Sequence, residues 1–218
     1  MKKIELYGGV GYAQLVNAMG DDKSVVNAAR VSIGGEATDR ERDAKLIRFL
    51  AKHKHTSPFE HVVFSFRVRV PLFVARQHMR HRTQSYNEIS RRYTAEDMAF
   101  WTPDAFRAQA SKNLQCSDGF ISDRDVEMVA KAWEDSVASS LRAYNVLLEM
   151  GVAREQARGV LPQSMMTSYY CTVNMLNLFK FLHLRLDEHA QPEIQELARA
   201  MRDLARETAP DSFGAWGL

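Results

Sequence analysis

Residues 62–92 read VVFSFRVRVPLFVARQHMRHRTQSYNEISRR, and the pattern changes partway along this stretch. Apolar and polar residues first alternate with a period of two, which is typical of a strand with one buried and one solvent-facing side. The apolar set is Phe64, Phe66, Val68 and Val70. We expect the strand over Val62–Val70. Pro71 then ends it and begins a helix that we expect to run into Arg76–Arg82.

Outward from this stretch, helical patterns outnumber strand patterns. A short strand is expected at Lys2–Leu6. A second is expected at Thr167–Val173, because β-branched and aromatic residues cluster in that segment. Capping boxes predict helices that begin at Thr38, running to about Lys52, and at Ser57. Other helices are expected at Ser24–Val31, Asp123–Met150, Ala153–Arg158, Asn174–Leu186 and from Pro192 onward. The pattern predicts a single α+β domain over residues 1–218, with helices packed around a small, mainly antiparallel sheet of three or four strands.

The helix expected at Asp123–Met150 is unusually long. Ser122 opens it and Gly151 closes it, and at 1.5 Å per residue it spans about 40 Å. A lone compact domain of this size does not need such a helix, so a subunit interface is one explanation. Residues 105–122, which precede it, are rich in Ser, Asn, Asp and Gly and predict a surface loop.

The composition excludes several classes of protein. The chain has 218 residues, 29 Lys and Arg against 27 Asp and Glu, and a net charge of +2. A protein whose whole surface grips nucleic acid or an anionic membrane would be far more positive. Two cysteines, Cys116 and Cys171, cannot form a disulfide framework and indicate a reducing compartment. Without a signal-peptide core or a run of ~18 apolar residues, we expect a cytoplasmic location and no membrane association.

The charge is concentrated between Arg76 and Arg92. This segment holds five arginines and one acid, Glu88, so its net charge is +4 against +2 for the whole chain. Arginine presents a planar fork that matches phosphate and carboxylate oxygens. Interleaved amides and hydroxyls suit the edge of a heterocycle. The composition fits a phosphorylated small molecule, but a solvated basic helix face and a nucleic-acid contact helix remain open.

A more specific pattern is Arg80-His81-Arg82, seven residues, then Ser90. It resembles the signature of the flavin-dependent thymidylate synthases, and the surrounding sequence is similar to that family in the same order. The other matching segments are Ala29-Arg30-Val31-Ser32, His55-Thr56-Ser57-Pro58-Phe59-Glu60-His61, Arg76-Gln77, Asn87-Glu88, Ala157-Arg158-Gly159-Val160-Leu161-Pro162, Thr172-Val173-Asn174, Leu184-Arg185 and Glu188-His189-Ala190-Gln191. The matches run from about residue 28 to residue 195 and so cover most of the chain.

The resemblance implies an activity. The family converts dUMP to dTMP with methylenetetrahydrofolate as methylene donor and FAD, reduced by NADPH, as hydride carrier. Its members are homotetramers with active sites between subunits. The resemblance therefore implies dUMP, folate and NADPH as small-molecule ligands, with no nucleic acid and no membrane. The alternatives are a non-catalytic nucleic-acid-binding module using Arg76–Arg92 and a different phosphorylated-nucleotide enzyme on the same scaffold.

The resemblance also implies roles for individual residues. Arg185 would face the pyrimidine and stabilise negative charge on the ring, which makes it the expected catalytic residue; the other interpretation is a helix-end cation. The implied dUMP-binding set is Gln77, Arg80, Glu88, Ser90, Arg91, Arg92, Arg158 and Arg185. The implied FAD-binding set is Ser32, His55, Ser57, Arg80, His81, Arg82, Glu88, Asn174 and Lys180. Leu176 and Lys180 depart from the family pattern, as does Arg91, where relatives often have glycine.

Other residue types suggest chemistry that we do not expect here. His53, His55 and His61 have a spacing that could suggest a metal, but no cysteine and few acids accompany them, so we expect none. Cys171 lies in an aromatic strand without a neighbouring base, which indicates a buried structural thiol. Ser90 likewise lacks an adjacent base, so we interpret it as a binding residue. No covalent enzyme nucleophile is expected.

Overall fold

The computed structural model describes residues 2–94, 97–113 and 116–218. Its main sheet has five antiparallel strands in the spatial order β1-β2-β3-β7-β4. These strands are β1 Lys3–Leu6, β2 Gly11–Met19, β3 Val63–Pro71, β4 Ser85–Glu88 and β7 Met166–Asn174. A second sheet pairs β5 Arg107–Gln109 with β6 Ser117–Phe120. The α+β prediction is confirmed, but the expected three or four strands were too few.

The period-two pattern at the start of the opening stretch is confirmed. Phe64, Phe66, Val68 and Val70 are fully buried. The neighbouring strand β7 runs antiparallel and places Cys171 opposite Phe66 and Tyr169 opposite Val68. The core therefore lies on one face of this sheet, and Arg67 and Tyr170 meet on the other.

The helix that follows β3 is shorter than its sequence predicts. Helix α3 comprises Leu72–His78, and the chain then turns and enters strand β4 at Ser85. The arginines at positions 80 and 82 therefore lie on a turn, so the expectation of a helix through Arg82 was wrong. The strand at Ser85–Glu88 was not predicted because its outward residues, Ser85 and Asn87, are polar and its run is only four residues long.

Two helix starts also differ from their predicted capping boxes. The cap of α2, Arg40–Lys52, is Asp39, whose side chain accepts a hydrogen bond from the backbone N–H of Arg42. Thr38 instead donates to the carboxylate of Asp43. At Ser57–His61 the chain forms a short 3-10 turn with no side-chain cap, so the second predicted box was wrong.

The long helix is confirmed as α4, Asp123–Glu149, with Ser122 as its N-cap and Gly151 in the left-handed region at φ +83°. Tyr144 is the one fully buried side chain among its 27 residues. Most of the helix surface is thus uncovered in a single protomer. The hairpin β5–β6 precedes it, within residues expected to form an irregular loop; residues 114 and 115 of that loop lie outside the described residues.

The remaining helices are α1 Asp22–Arg30, α5 Arg154–Ala157, α6 Met175–Arg185, α7 Pro192–Arg206 and α8 Pro210–Ala215. Helices α6 and α7 pack against the main sheet, whereas Ala157 of α5 packs with Tyr144 of α4 in a separate apolar cluster. Helix α7 buries the predicted face, which comprises Ile194, Leu197, Ala198, Met201, Leu204 and Ala205. Helix α8 was not predicted. A residue remote in sequence caps its N-terminus, since the Asp22 carboxylate accepts hydrogen bonds from the backbone N–H groups of Asp211 and Ser212 at 2.9 Å.

Across the described ranges, every helix is too short or too polar to cross a membrane.

Candidate functional site

The turn after α3 carries Arg80, His81 and Arg82, and the side chain of Tyr86 contacts its backbone. Arg80 and Arg82 are exposed, whereas His81 is half-buried. The hydroxyl of Tyr86, on β4, lies 3.0 Å from the carbonyl oxygen of His78 and 3.3 Å from that of His81. The turn is therefore attached to the edge strand of the sheet at two points.

His81 connects this turn to the end of helix α6. Arg185, the last residue of α6, donates from Nε to His81 Nε2 at 3.2 Å. The His81 ring also meets Phe181 edge-on at 5.0 Å. Burial, and then the positive charge of Arg185, lower the pKa of His81 below its ordinary value. Burial lowers the pKa of Arg185 as well, but an arginine stays protonated at neutral pH. The pair thus comprises a neutral imidazole and a fixed cation.

A cavity of about 340 Å³ gathers three of the expected dUMP-binding residues: Glu88, Arg91 and Arg158 line it together with Glu155 and Thr167. Arg91 is buried, and its Nη2 donates to the carbonyl oxygen of Asp97 at 3.3 Å. Desolvation lowers the pKa of Arg91. Two cations beside two carboxylates form a site that can bind an anion and hydrogen-bond its polar groups at the same time.

The buried hydroxyl of Thr167 fixes Glu88 in that cavity. Thr167 Oγ1 donates to Glu88 Oε1 at 2.5 Å. The two residues reach the same face of the sheet because Glu88 stands opposite Tyr169 in the β4–β7 register, and Thr167 lies two residues before Tyr169. No role for Thr167 was expected from the sequence. The sequence held no signal for this contact, because only the β4–β7 register brings Thr167 to Glu88.

The remaining expected dUMP-binding residues lie outside this cavity. Gln77 donates from Nε2 to Gln191 Oε1 at 2.5 Å. Ser90 Oγ accepts from the backbone N–H of Arg92, whose exposed guanidinium lies over the Tyr93 ring at 5.6 Å. The expected set is therefore divided among the cavity, the Gln77–Gln191 pair, the Ser90–Arg92 segment and the turn where Arg80 adjoins the Arg185–His81 hydrogen bond. Gln191, a contact of Gln77, was part of the sequence match but had no expected role.

A second cavity, of about 260 Å³, lies beside the N-terminus of α6. Its polar lining residues are Arg82, Thr83, Gln84, Ser85, Thr172 and Asn174. Asn174 caps the helix, since its Oδ1 accepts from the backbone N–H of Asn177 at 2.9 Å. Both side-chain amide atoms of Gln84 are buried without a well-formed hydrogen bond among the described residues. Arg82 and Asn174 are thus brought together, as the expected cofactor set requires.

Other members of the expected FAD set are exposed and do not line this cavity. Ser32 donates to the carbonyl oxygen of Ala29 at 3.1 Å, and His55 meets the Phe49 ring edge-on at 5.8 Å. Ser57 begins the 3-10 turn, and Lys180 donates to Asn177 Oδ1 at 3.2 Å. Within the described part of the chain, none of Ser32, His55 and Ser57 has a hydrogen bond to the Arg80–Arg82 turn.

The thiol of Cys171 is a structural group. It is 1% exposed on strand β7, and burial raises its pKa to about 12. A thiol with this pKa carries almost no thiolate at neutral pH and is a poor nucleophile. The interpretation of Cys171 as a buried structural residue is therefore supported by its surroundings.

Comparison with known proteins identifies the family of this α+β chain. A family model described as "Thymidylate synthase complementing protein" matches residues 14–211. A flavin-dependent thymidylate synthase from Thermus thermophilus is 48% identical over 207 residues, which cover 94% of this chain and 75% of the relative. That of Thermosipho africanus is 44% identical over 210 residues, covering 94% and 90%. The chain belongs to the flavin-dependent thymidylate synthase family.

A solved structure is similar over almost the whole chain. It is the UMP/dUMP methylase PolB from Streptomyces cacaoi bound with 5-Br dUMP, with a TM-score of 0.88 and 36% sequence identity. The match covers 98% of this chain and 97% of that one. A structure of the same protein bound with 5-Br UMP has a TM-score of 0.85 at 34% identity.

Proposed function

We propose that this protein is a thymidylate synthase that methylates dUMP to dTMP, with methylenetetrahydrofolate as methylene donor and with FAD, reduced by NADPH, as hydride carrier. The observation that carries the proposal is the hydrogen bond from Arg185 to His81, because it joins the expected catalytic cation to the signature turn across 104 positions of sequence. The family membership and the similarity to a protein named a UMP/dUMP methylase support the same substrate class.

The nucleotide would bind in the cavity lined by Glu88, Arg91 and Arg158. Arginine forks are suited to the phosphate oxygens, and Glu88 can accept hydrogen bonds from the nucleotide. Gln77, Arg80, Ser90 and Arg92 would complete the binding set, some of them supplied by a neighbouring subunit. Arg185 would lie by the pyrimidine. A fixed cation there stabilises the negative charge that develops as C5 becomes nucleophilic.

The residues around the second cavity fit FAD. Arg82 supplies positive charge for a diphosphate, and the hydroxyl groups of Thr83, Ser85 and Thr172 in the lining can hydrogen-bond the polar edge of a ring. Lys180, which lies outside this lining and donates to Asn177, would add a second cation. Ser32, His55, Ser57, Arg80, His81, Glu88 and Asn174 complete the proposed set. When bound, FAD supplies the hydride that completes the methyl group.

The atoms of the net reaction balance without an enzyme nucleophile. The one-carbon unit of methylenetetrahydrofolate becomes bonded to C5, the C5 proton leaves, and a hydride that originates from NADPH completes the methyl group. The two folate nitrogens that release the carbon take up two protons, one in balance with the C5 proton and one from solvent, so tetrahydrofolate and NADP⁺ are the other products. The raised pKa of Cys171 supports a route in which no thiolate attacks the ring.

We further propose that residues 1–218 act as one domain in a homotetramer, in the cytoplasm. Helix α4 supports the assembly, because Met128, Val146 and Met150 are 68%, 50% and 78% exposed. At 100° per residue these three side chains lie within about 40° of one another on the helix, on the side away from Tyr144. The same side of the helix is polar between Met128 and Val146, where Asp135, Ser139 and Arg142 lie, so α4 offers exposed apolar side chains near each end, which suit a subunit interface. The unpaired thiols of Cys116 and Cys171 support a reducing compartment.

Purified protein tests the proposal. We expect a visible flavin spectrum, or its appearance on adding FAD, and NADPH oxidation that requires dUMP and methylenetetrahydrofolate and forms dTMP. UMP is assayed in parallel, because the similar structure belongs to a UMP/dUMP methylase. A colourless protein that binds no FAD and forms no dTMP contradicts the proposal, and so does a preference for UMP. Affinity for long nucleic acid that falls steeply with salt, without competition by dUMP, would support the nucleic-acid-binding alternative.

A further inference from the structure

Tyr86 makes an unusual pair of contacts for a side chain on an edge strand. Its single hydroxyl proton is shared between the carbonyl oxygens of His78 and His81, at 3.0 and 3.3 Å. Burial raises the pKa of the Tyr86 phenol above its ordinary value, so the hydroxyl remains a donor at all physiological pH values.

The aromatic ring of Tyr86 is held in place by its neighbours. It meets the His78 ring edge-on at 5.5 Å and the Tyr169 ring at 6.0 Å. Tyr86 also stands opposite Cys171 in the β4–β7 register, which fixes its backbone to the sheet. A hydroxyl presented by a ring with so little freedom can hold a turn in one geometry.

Both carbonyl groups that Tyr86 contacts lie where helix α3 ends and the turn begins. The His78 carbonyl oxygen also accepts the backbone N–H of His81 at 3.0 Å, so the Tyr86 hydroxyl adds a second hydrogen bond there and joins the turn to strand β4. The same hydroxyl also contacts the carbonyl oxygen of His81, whose ring accepts the hydrogen bond from Arg185. A continuous series of contacts thus runs from Tyr86, through the backbone and ring of His81, to Arg185.

We propose that Tyr86 is a positioning residue: its hydroxyl fixes the Met79–Arg82 turn so that His81 holds the Arg185 guanidinium in its working geometry. This inference rests on the proposed function, since it assigns Arg185 the catalytic role given there. Tyr86 itself would not touch the nucleotide. Its effect would appear in the chemical step, where the Arg185 charge acts, more than in substrate binding.

The replacement Tyr86→Phe tests this because it removes the hydroxyl and keeps the ring. The matched control is Tyr169→Phe, which belongs to the same cluster and removes the hydroxyl hydrogen-bonded to His78 Nδ1 at 2.8 Å, but has no contact with the turn carbonyls. Four quantities are measured for each variant: the dissociation constant for FAD by titration, kcat and KM for dUMP at saturating FAD, and the melting temperature.

For Tyr86→Phe we expect kcat to fall about tenfold, with KM for dUMP and the FAD dissociation constant each changed less than about threefold. For Tyr169→Phe we expect a lower melting temperature and a kcat within about twofold of the wild type. Equal kcat values in the two variants would overturn the proposal, as would a Tyr86→Phe variant that loses only thermal stability. If Tyr86→Phe fails to fold, Tyr86→Leu replaces it because leucine also lacks the donor, and an unchanged kcat in that variant likewise overturns the proposal.

A double variant locates the effect. When Arg185→Lys is introduced, the bond from Arg185 Nε is gone, so adding Tyr86→Phe should lower the residual kcat less than about twofold. A full additional tenfold loss would place the action of Tyr86 elsewhere and overturn the series of contacts. The two proposals fail differently: a wild type that binds no FAD and forms no dTMP contradicts the proposed function, whereas an active wild type with unaffected Tyr86→Phe contradicts only this inference.

Discussion

Arg185 Nε donates a hydrogen bond to His81 Nε2 at 3.2 Å, which fixes the protonation of both side chains. Because Nε2 accepts, the His81 ring carries its proton on Nδ1 and is neutral. The lowered pKa of His81 agrees with that assignment. The guanidinium keeps its terminal nitrogens for another ligand. The contact therefore orients a cation without neutralising it.

Replacing Arg185 by Ala should separate catalysis from cofactor retention. We expect turnover of dUMP to fall by at least about a hundredfold, because removing one preorganised electrostatic donor costs about 3 kcal/mol in comparable sites. Bound FAD should fall far less, since Arg82, Asn174 and Gln84 remain around the second cavity. Turnover and the flavin-to-protein absorbance ratio are measured on the same preparation.

The control for this variant is Arg206→Ala. Arg206 is an exposed cation in the last turn of α7, so it has the same relation to a helix dipole as Arg185 has in α6. We expect Arg206→Ala to keep its activity within about twofold. Equal loss of turnover and FAD in Arg185→Ala would contradict the catalytic assignment, and equal effects in both variants would reduce Arg185 to a helix-end cation.

Replacing Thr167 by Val should weaken dUMP binding. The substitution keeps the shape and buried position of the side chain but removes the donor to Glu88 Oε1. Without this donor the Glu88 carboxylate is no longer held in one orientation. The free energy of dUMP binding should weaken by about 1 kcal/mol, which corresponds to about a fivefold rise in KM for dUMP. Thr167→Ser keeps the hydroxyl and should remain within about twofold of the wild type. A valine variant with an unchanged KM would remove Thr167 from the site.

The sequence predicts the elements whose pattern is local, and it misses those that depend on how distant strands pair with one another. The strand at β3 was predictable because its alternation is uninterrupted. Strand β2 was missed because a bulge between Leu15 and Asn17 breaks its period of two. The signature turn was recognised from residues that are close in the chain. Thr167–Glu88 and Gln191–Gln77 join positions 79 and 114 residues apart, and only the β4–β7 pairing and the placement of α7 bring them together.

Stability at acid pH should depend on His78. This residue is fully buried, and desolvation first, then repulsion from His81 once that ring is protonated, lower its pKa to about 3 from an ordinary value of 6.5. Below about pH 6.5, His78 therefore binds a proton in the unfolded chain but not in the folded chain. The native state loses stability as the pH falls through this range. At pH 5 the loss is about 2 kcal/mol, and it keeps growing toward pH 3.

The replacement His78→Phe tests this dependence, because phenylalanine can pack against Phe181 and Tyr86 but cannot titrate. We measure the free energy of unfolding in urea from pH 7.5 to 4.5 and expect it to fall less steeply in this variant. Below pH 6.5 the slope should differ from that of the wild type by about one bound proton, or about 1.4 kcal/mol per pH unit. His53→Gln, at an exposed position, should keep the wild-type slope. Identical slopes in all three proteins would show that His78 is charged or solvated in the native state.

Placing a charge at the exposed apolar C-terminal end of α4 should break the proposed assembly. Light scattering should give the wild type a mass of about four protomers of 24.9 kDa. Val146→Glu puts a carboxylate beside Met150, where burial in an interface without a partner costs several kcal/mol. We expect smaller species and a parallel loss of turnover, because the proposed active sites lie between subunits.

Asn145→Glu adds the same charge on an exposed neighbouring face, about 100° away, and should leave the mass unchanged. A wild-type monomer would contradict the tetramer. Equal masses for the two glutamate variants would instead place the interface on another face of the protomer.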